Sequence, residues 1–580
     1  MNFNKVNNIT GWIVCIIACA VYILTAEAGG SLWDCGEFVS SCFKLQVPHP
    51  PGAPLFVVIG RIFIVLFGDN PLTAAKAVNI MSALASGFTI LFLFWTITHF
   101  TRKIYQKAHA ALSAEKVFTI MAAGVVGALA FTFSDSMWYS AVEGEVYAFS
   151  SFLTALVFWM MLKWEHNADE PGADRWIVLL FFVIGLSIGI HLLNLLTIPA
   201  IVMIYYFRRY KTTPWGIFWA FIVGCIITGF VQKFVIQYTI TGSGIFDRWF
   251  VNGLGLPFFS GFTAYFVLLG IVILIGIRKA DKLINNFTGF AVWLSVFIFL
   301  FSFPYITSFL SFLLFVAGTA IIVYAAYHSR LKILNFLKLG LWCFAFILIG
   351  YSTYLTTMIR SAANPSVDMY NVDNPMSLVG YVGREQYGDF PLIYGQTFAA
   401  DVKRNADGTP MVKEKGYRWQ KGDNKYINIG KNFEYEYEDE DMMFLPRIWD
   451  ASNDQGHANY YRSWLGLGKD EKPTYVDNIR WAVGYQIGWM YLRYFGWNFI
   501  GKQNDLQGTG NVRDGNTITG ISFIDNLFLG DQSKLPDSIK DNKANNKLFA
   551  LPFILGLIGL FFHYHHHRED FLVSFLLFFF

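Results

Sequence analysis

The chain has 580 residues, 54% hydrophobic and 18% aromatic, with 58 phenylalanines among them. Only 15% are charged and the formal net charge is +3; an average soluble domain carries roughly 25% charged residues. These values exclude a plain soluble domain, give no basis for a nucleic-acid partner, and with the repeated apolar runs mark a polytopic membrane protein.

The first apolar helix is expected over about 11–27. Lys5, the run Trp12 to Leu24 and Ala26-Glu27-Ala28 imitate a cleaved leader with an A-x-A site. The many apolar segments that follow favour an uncleaved anchor, which would hold the next loop at the membrane surface. That first outer loop, 28–71, contains Asp34, Glu37 and His49. Three ionisable groups beside a bilayer cost free energy unless they are paired, solvated or used. Within it, Pro54 to Phe67 is apolar but too short to cross, is interrupted by Arg61, and reads as a helix lying in the interface.

Further spans are expected at 72–99, 117–134, 146–164, a tight pair 176–190 and 192–207 around His191, then 215–240, 261–277, 287–303, 306–327 and 336–358. A polar region runs from 359 to 547, and another helix covers 548–562. The last apolar run, Phe571 to Phe580, is too short to span, so the chain reads as cut short. The segments divide as 1–358 (transmembrane module), 359–547 (aromatic-rich outer region) and 548–580 (further helices).

Lys and Arg concentrate in alternate loops. Arg102, Lys103, Lys107 and Lys116, then Arg208, Arg209 and Lys211, then Arg278, Lys279 and Lys282, then Arg330, Lys332 and Lys338 mark the cytoplasmic side. The opposite short loops hold only Lys44, Arg61 and Arg248. The first loop, Ser134 to Glu145, the His191 hairpin, Thr241 to Ser260, the turn at Pro304-Tyr305 and the polar region then all fall outside. The unusual residues share one face, so any chemistry is extracytoplasmic.

Four constellations stand out there. In Trp33-Asp34-Cys35-Gly36-Glu37-Phe38, positions three apart share a helix face. Asp34 and Glu37 can then present two carboxylates to one cavity, one accepting a proton and the other orienting a hydroxyl or cation. The same pattern also fits a helix start with Asp34 as cap and Glu37 as its box partner. Pro48-His49-Pro50-Pro51-Gly52-Ala53-Pro54 stiffens the backbone around His49, which could contact phosphate when protonated or a sugar when neutral, or simply sit in a structural turn. Glu143 and Glu145 form a second acidic cluster on the same face, although acids at a helix N-terminus also suit the dipole. His191 and Asn194 lie between two apolar helices, where a His is commonly a satisfied core residue. Asp34, Glu37, Glu143 and Glu145 could hold a divalent cation or only water. Cys35 and Cys42, seven apart on an apparent helix, would be about 10 Å apart and are not expected to pair. The sequence has no zinc-type Cys or His spacing, P-loop, G-x-S-x-G or H-E-x-x-H.

The outer region is rich in Tyr and Trp, including Tyr381, Tyr387, Trp419, Tyr460 and Trp481, and contains Arg360 to Pro365 and Gly383-Arg384-Glu385-Gln386-Tyr387-Gly388-Asp389. Aromatic faces with Asp and Asn edges suit carbohydrate or peptide; they equally suit the core of a folded domain.

Asp34-Cys-Gly-Glu37-Phe followed by His49-Pro-Pro-Gly52-Ala-Pro54-Leu-Phe resembles the signature of a family of polytopic membrane proteins with bacterial members and an animal transmembrane protein O-mannosyltransferase. Glu145-Val-Tyr147 and Gly189-Ile-His191-Leu-Leu-Asn194 resemble its later blocks, and Arg360 to Tyr394 is similar to its bacterial branch. The family is similar to the GT-C class of membrane glycosyltransferases.

The resemblance implies a mainly α, polytopic GT-C-type protein of about 12–13 transmembrane helices, with an interfacial helix after the first outer loop and a large extracytoplasmic α/β region. It implies an inverting enzyme of the bacterial inner membrane with a periplasmic site, moving a mannose-like sugar from a polyprenyl-phosphate donor to Ser or Thr of exported proteins. Asp34 would be the base and Glu37 its neighbour in catalysis. His49 and Arg61 would be nearest to the leaving phosphate, and Glu143, Glu145, His191 and Asn194 would line the substrate cavity. Two other classes fit less well. A transporter or flippase places polar groups near the midplane, often in repeats. A non-catalytic envelope-assembly scaffold would tolerate loss of Asp34.

Overall fold

The computed structural model describes residues 2–106, 112–328, 330–388, 390–452 and 456–579. Lys107, Asp389 and Phe580, and the side chains of Arg330 and Lys332, lie outside that description. Helix α1 (Phe3–Thr25) starts on the side chain of Asn2 and is followed by the short α2 (Cys35–Lys44) and α3 (Pro54–Leu66). Next come α4 (Pro71–Tyr105), α5 (Ala114–Thr132), α6 (Asp135–Val142), α7 (Val146–Asn167), α8 (Arg175–Ile188), α9 (Ile198–Arg209), α10 (Pro214–Phe230), α11 (Thr239–Leu254), α12 (Ser260–Ile284), α13 (Phe287–Ser302), α14 (Phe309–His328), α15 (Arg330–Tyr351) and α16 (Tyr354–Ser361).

Among the described residues, ten helices are long and apolar enough to cross a membrane. Two segments expected as spans, α8 and Leu551–His566, have only 14 and 16 residues, short of the roughly 20 that a crossing helix needs. Helix α3 has 13 residues, about 20 Å at 1.5 Å per residue, so it cannot cross and fits the expected interfacial role by length.

One expectation is corrected. Most of the segment from Thr241 to Ser260 is not a loop: residues 241–254 are helical, and only 255–259 form a turn. Pro214–Leu254 is one continuous 41-residue helical run, with a π-helical segment Val231–Tyr238 between α10 and α11. The Thr, Ser and Gly residues that read as a loop pack closely instead: a Cβ on Gly242 would lie 2.9 Å from the Tyr265 hydroxyl, and Ser243 donates to the Ile240 carbonyl.

Most of the helical core is a single apolar cluster running from Phe38 and Phe56 through α7, α8 and α12 to α15. Helices α8 and α15 approach backbone to backbone. A Cβ on Gly185 would lie 2.4 Å from the Ile347 carbonyl, and one on Gly350 would lie 2.5 Å from that of Phe182. Only hydrogen at both positions permits that contact.

The outer region continues with α17 (Pro375–Gly383), strands β1 (Tyr394–Gln396), β2 (Val412–Lys421), β3 (Tyr426–Tyr435) and β4 (Met442–Phe444), then α18 (His457–Leu465), α19 (Tyr475–Arg480) and α20 (Arg493–Phe499). It closes with β5 (Gly501–Lys502), α21 (Ser522–Leu529), α22 (Asp537–Lys540) and β6 (Asn546–Lys547) before α23 (Leu551–His566) and α24 (Arg568–Phe579). The strands pair antiparallel as β1–β4, β2–β3 and β5–β6. A small core of Phe398, Ile448, Tyr461, Leu465 and Trp481 holds this part together.

Two points fasten the polar region 359–547 to the helical part. Arg360 donates to the Leu45 carbonyl at 2.8 Å, and Val47 bridges to the strand-like segment at Val367 and Met369. Farther along, Asn498 exchanges two hydrogen bonds with Ser136, and the Lys502 ammonium lies 3.6 Å from Asp135.

Candidate active site

Trp33, with φ of 62°, turns the chain into α2 and leaves Asp34 at its N-cap. The Asp34 side chain makes no cap hydrogen bond and is exposed, so the capping-box alternative is not realised. Glu37 turns instead to His49: one oxygen accepts from the His49 amide at 2.7 Å and the other meets Nδ1 at 2.8 Å. That hydrogen bond holds the Glu37 carboxyl below its ordinary 4.5 and the His49 imidazole above its ordinary 6.5. The His49 contribution is complete below 6.5 and lost as pH rises through its raised value; the Glu37 contribution is complete above 4.5 and lost as pH falls through its lowered value. The clamp is strongest between those limits.

The proline loop is held from outside. The Tyr381 hydroxyl, on α17 and buried, donates to the Pro48 carbonyl at 2.5 Å. Gly52 (φ 73°) passes over the same ring; a Cβ there would lie 2.2 Å from that hydroxyl. Tyr381→Phe removes the donor and leaves a buried carbonyl unmet, a cost of about 1–3 kcal/mol. It is expected to lower the unfolding temperature of the detergent-solubilised protein; an unchanged value would contradict this role.

The second wall is the turn before α7. Glu145 is buried and caps that helix, accepting from the Val146 amide at 3.2 Å, while the Cys35 thiol donates to its other oxygen at 3.8 Å. Burial foremost, with the charges of Asp34 and Glu143, pushes its carboxyl up to about 7. Burial also raises Glu143. Asn79 ties this wall to the first loop, donating to the carbonyls of Glu27 and Gly29 at 2.9 Å with Gly144 against it.

For an acid raised from 4.5 to about 7, ionisation costs stability, and the cost grows as pH rises through that interval. Beside Asp34 it also changes the local charge near neutrality. Glu145→Gln is therefore expected to flatten the pH profile of the unfolding temperature of the solubilised protein near pH 7. A profile identical to wild type would leave Glu145 as a helix cap alone.

His191 follows α8, where the Gly189 carbonyl accepts from the Leu55 amide at 2.9 Å and fixes the start of α3. Its ring lies 5.4 Å from that of Tyr147, two residues beyond Glu145. Burial first, and then the Arg384 charge, hold His191 below its ordinary value, so it is neutral at pH 7. Asn194 is fully buried; it takes the Thr197 hydroxyl at 3.3 Å, and its Nδ2 has no partner among the described residues.

Arg61 is placed differently from the others. Its guanidinium is held by both oxygens of Asp69, at 2.6 and 3.0 Å, and by the Phe43 carbonyl at 2.8 Å. These partners fix the corner between α2, α3 and α4 rather than the Asp34 cavity. Arg384 is the cation whose charge contributes to the lowering of His191. It ends α17 in the left-handed conformation (φ 58°), is exposed, and rests 4.8 Å over the Tyr387 ring. The sequence flagged its stretch for hydrogen-bonding density but gave no sign that it returns to His191.

Asp34, Glu37 and His49 offer ligand atoms within 4.8 Å of one another, a different set from the four carboxylates expected for a cation. Two oxygens and an imidazole suit a divalent ion by donor type. Both Glu37 oxygens are already engaged by His49, however, and His49 is biased toward its protonated form, which opposes ligation. The set fits an ion only with that clamp opened.

Residues 34–214 match the family model described as the protein O-mannosyl-transferase TMEM260 N-terminal domain, and residues 388–483 match a family of unknown function (DUF8416). Over 157 residues the chain is 26% identical to protein O-mannosyl-transferase tmem260 of Dictyostelium discoideum, covering 27% of this chain and 17% of that protein. Over 169 residues it is 27% identical to protein O-mannosyl-transferase TMEM260 of Mus musculus, covering 29% of this chain and 21% of that protein. The matched stretch spans about a fifth of each relative's length. No solved structure matches. The stretch 34–214, which carries Asp34, Glu37, His49, Glu143, Glu145, His191 and Asn194, is thus similar to the N-terminal part of TMEM260-type protein O-mannosyl-transferases.

Proposed function

We propose that this chain is a membrane O-mannosyltransferase of GT-C type. It moves a mannose-like sugar from a polyprenyl-phosphate donor to a Ser or Thr hydroxyl of an exported protein, on the periplasmic face of a bacterial inner membrane. The observation that carries the reading is Asp34: an exposed carboxylate, free of any cap bond, with an oxygen within 4.8 Å of the Glu37–His49 clamp and its charge felt by Glu145. Residues 1–358 would hold the chemistry, 359–547 would cover it, and 548–580 would add helices.

The step is a single displacement. The acceptor oxygen attacks the anomeric carbon as the bond from that carbon to the phosphate oxygen breaks, the electron pair leaving with the phosphate. The hydroxyl proton passes to Asp34. Charge growing on the phosphate needs a fixed donor or cation. Arg384 supplies the cation and His191, as a neutral ring, can supply a hydrogen bond; Arg61 is committed to Asp69. Glu37 holds His49 rather than capping α2, so its part is positioning.

The test is transfer by purified protein in liposomes, from radiolabelled polyprenyl-phosphate mannose to a Ser/Thr peptide. The proposal expects labelled peptide in the presence of both substrates. Donor movement across the bilayer without transfer would favour the flippase reading instead.

A further inference from the structure

Apart from the Asp34 site, a hollow of about 450 Å³ lies between the segment carrying α17 and the β2–β3 hairpin. A volume of 300–1,000 Å³ is typical of a ligand site. Tyr370, Glu385, Tyr417, Arg418, Trp419 and Asn432 are among its lining residues. Its hairpin side lies in the part of the chain that matches a family of unknown function, and nothing in the transfer step uses it.

We propose that this hollow, with the hairpin beside it, binds an extended segment of the acceptor polypeptide and feeds it toward Asp34. The proposal rests on the O-mannosyltransferase reading and names the acceptor subsite of that activity.

Three observations carry it. The first is the hairpin itself. It is anchored at its turn end, where Tyr426 is buried, donates its hydroxyl to Asp247 at 2.7 Å and exchanges backbone hydrogen bonds with the Asn252 side chain. Beyond that anchor both strands are exposed almost throughout, with Val412, Tyr417, Ile429, Phe433 and Tyr435 open to solvent. The sheet has two strands, so each has one edge with unpaired backbone groups. Such edges pair readily with an extended chain, which side-chain pockets then discriminate.

The second is the state of the lining. Lys421 is paired with Asp373 at 2.5 Å and Glu385 accepts from the Tyr370 hydroxyl at 2.9 Å, so these charges are already satisfied. Arg418 has no ion pair among the described residues and, with Asn432, supplies hydrogen-bonding groups for a backbone or a polar side chain. A sugar would want open ring faces, but Arg248 lies 4.3 Å over Trp419 and Lys431 lies 5.7 Å from the Tyr417 ring centre. The arrangement favours peptide over carbohydrate.

The third is continuity. Glu385 lines the hollow, and its neighbour Arg384 acts on His191. The Tyr370 ring lies 6.4 Å from that of Tyr381, whose hydroxyl holds the His49 loop. The lining of the hollow is thus linked, through Tyr370 and Tyr381, to the loop that carries His49 beside Asp34.

The test uses the full chain in nanodiscs without donor. The probe is a short fluorescein-labelled peptide containing Ser and Thr, read by anisotropy, with a mannose oligosaccharide as competitor. Tyr417→Ala combined with Arg418→Glu alters two exposed side chains and is checked for an unchanged unfolding temperature. It should weaken peptide binding by about tenfold or more, the loss expected when a contact worth at least ~1.4 kcal/mol is removed. In turnover it should raise KM for the peptide with kcat unchanged. A photo-crosslinking residue at Asn432 should capture the peptide. Asp34→Asn should bind it as wild type does, so failure of the chemistry and failure of the subsite are read separately. Equal peptide binding by wild type and the double variant, or displacement by the oligosaccharide, would overturn the proposal.

Discussion

Asp34→Asn is expected to cut sugar transfer by about 10²–10⁴-fold, the usual contribution of a positioned general base; at ~1.4 kcal/mol per decade this is about 3–5 kcal/mol of barrier. The substitution keeps size and polarity and removes only the ability to accept the acceptor proton. Because the Asp34 side chain makes no cap bond, the fold should be undisturbed and donor binding should persist. Glu37→Gln acts differently. It leaves one oxygen to accept from the His49 amide or ring but removes the charge that holds the pair together. Its cost should be smaller and should grow with loop mobility. Purified variants in the liposome assay, with donor binding measured in parallel, separate the two. Full activity of Asp34→Asn with a dead Glu37→Gln would exchange the roles.

Arg384→Gln is expected to lower kcat by about 10²–10³-fold, as does removal of one fixed group from a developing negative charge elsewhere. Arg384→Lys should recover part of the rate, since a point charge remains while the planar fork is lost. The exposed guanidinium has no ion pair among the described residues, so the fold should not suffer. The same assay decides it: equal rates for wild type and Arg384→Gln would return the leaving phosphate to other groups.

The first loop was legible because its information is local. Asp34 and Glu37 are three apart on one helical turn, and a run of prolines around His49 can only be stiff. What could not be read was the pairing of Glu37 with His49, which depends on how α2 and the proline loop fold back on each other. Arg61 was expected near the leaving phosphate; its pairing with Asp69, in the turn after α3, depends on how that turn folds back. Arg384 was out of reach at longer range: its charge bears on His191 from nearly two hundred residues away in the chain. In the membrane part, apolar runs located the helices, but the polar ends of α1, α4 and α12 extend them six to eight residues past the expected bounds. The failure at Thr241 to Ser260 came from Gly, Ser and Thr together with Asp247. Those residues suit a loop in water, but here the glycines meet Tyr265 and Val379, and Asp247 is buried with four donors, from Phe259, Gly261, Phe262 and Tyr426.

The central claim is that Asp34 drives transfer of a hexose to exported proteins. Its most direct test is glycopeptide mass spectrometry of exported proteins from cells that carry the gene, lack it, or carry only Asp34→Asn. The account predicts Ser- or Thr-linked hexose in the first, its loss in the second and third, and its return when wild-type protein is supplied. The same hexosylated peptides in all three would contradict it.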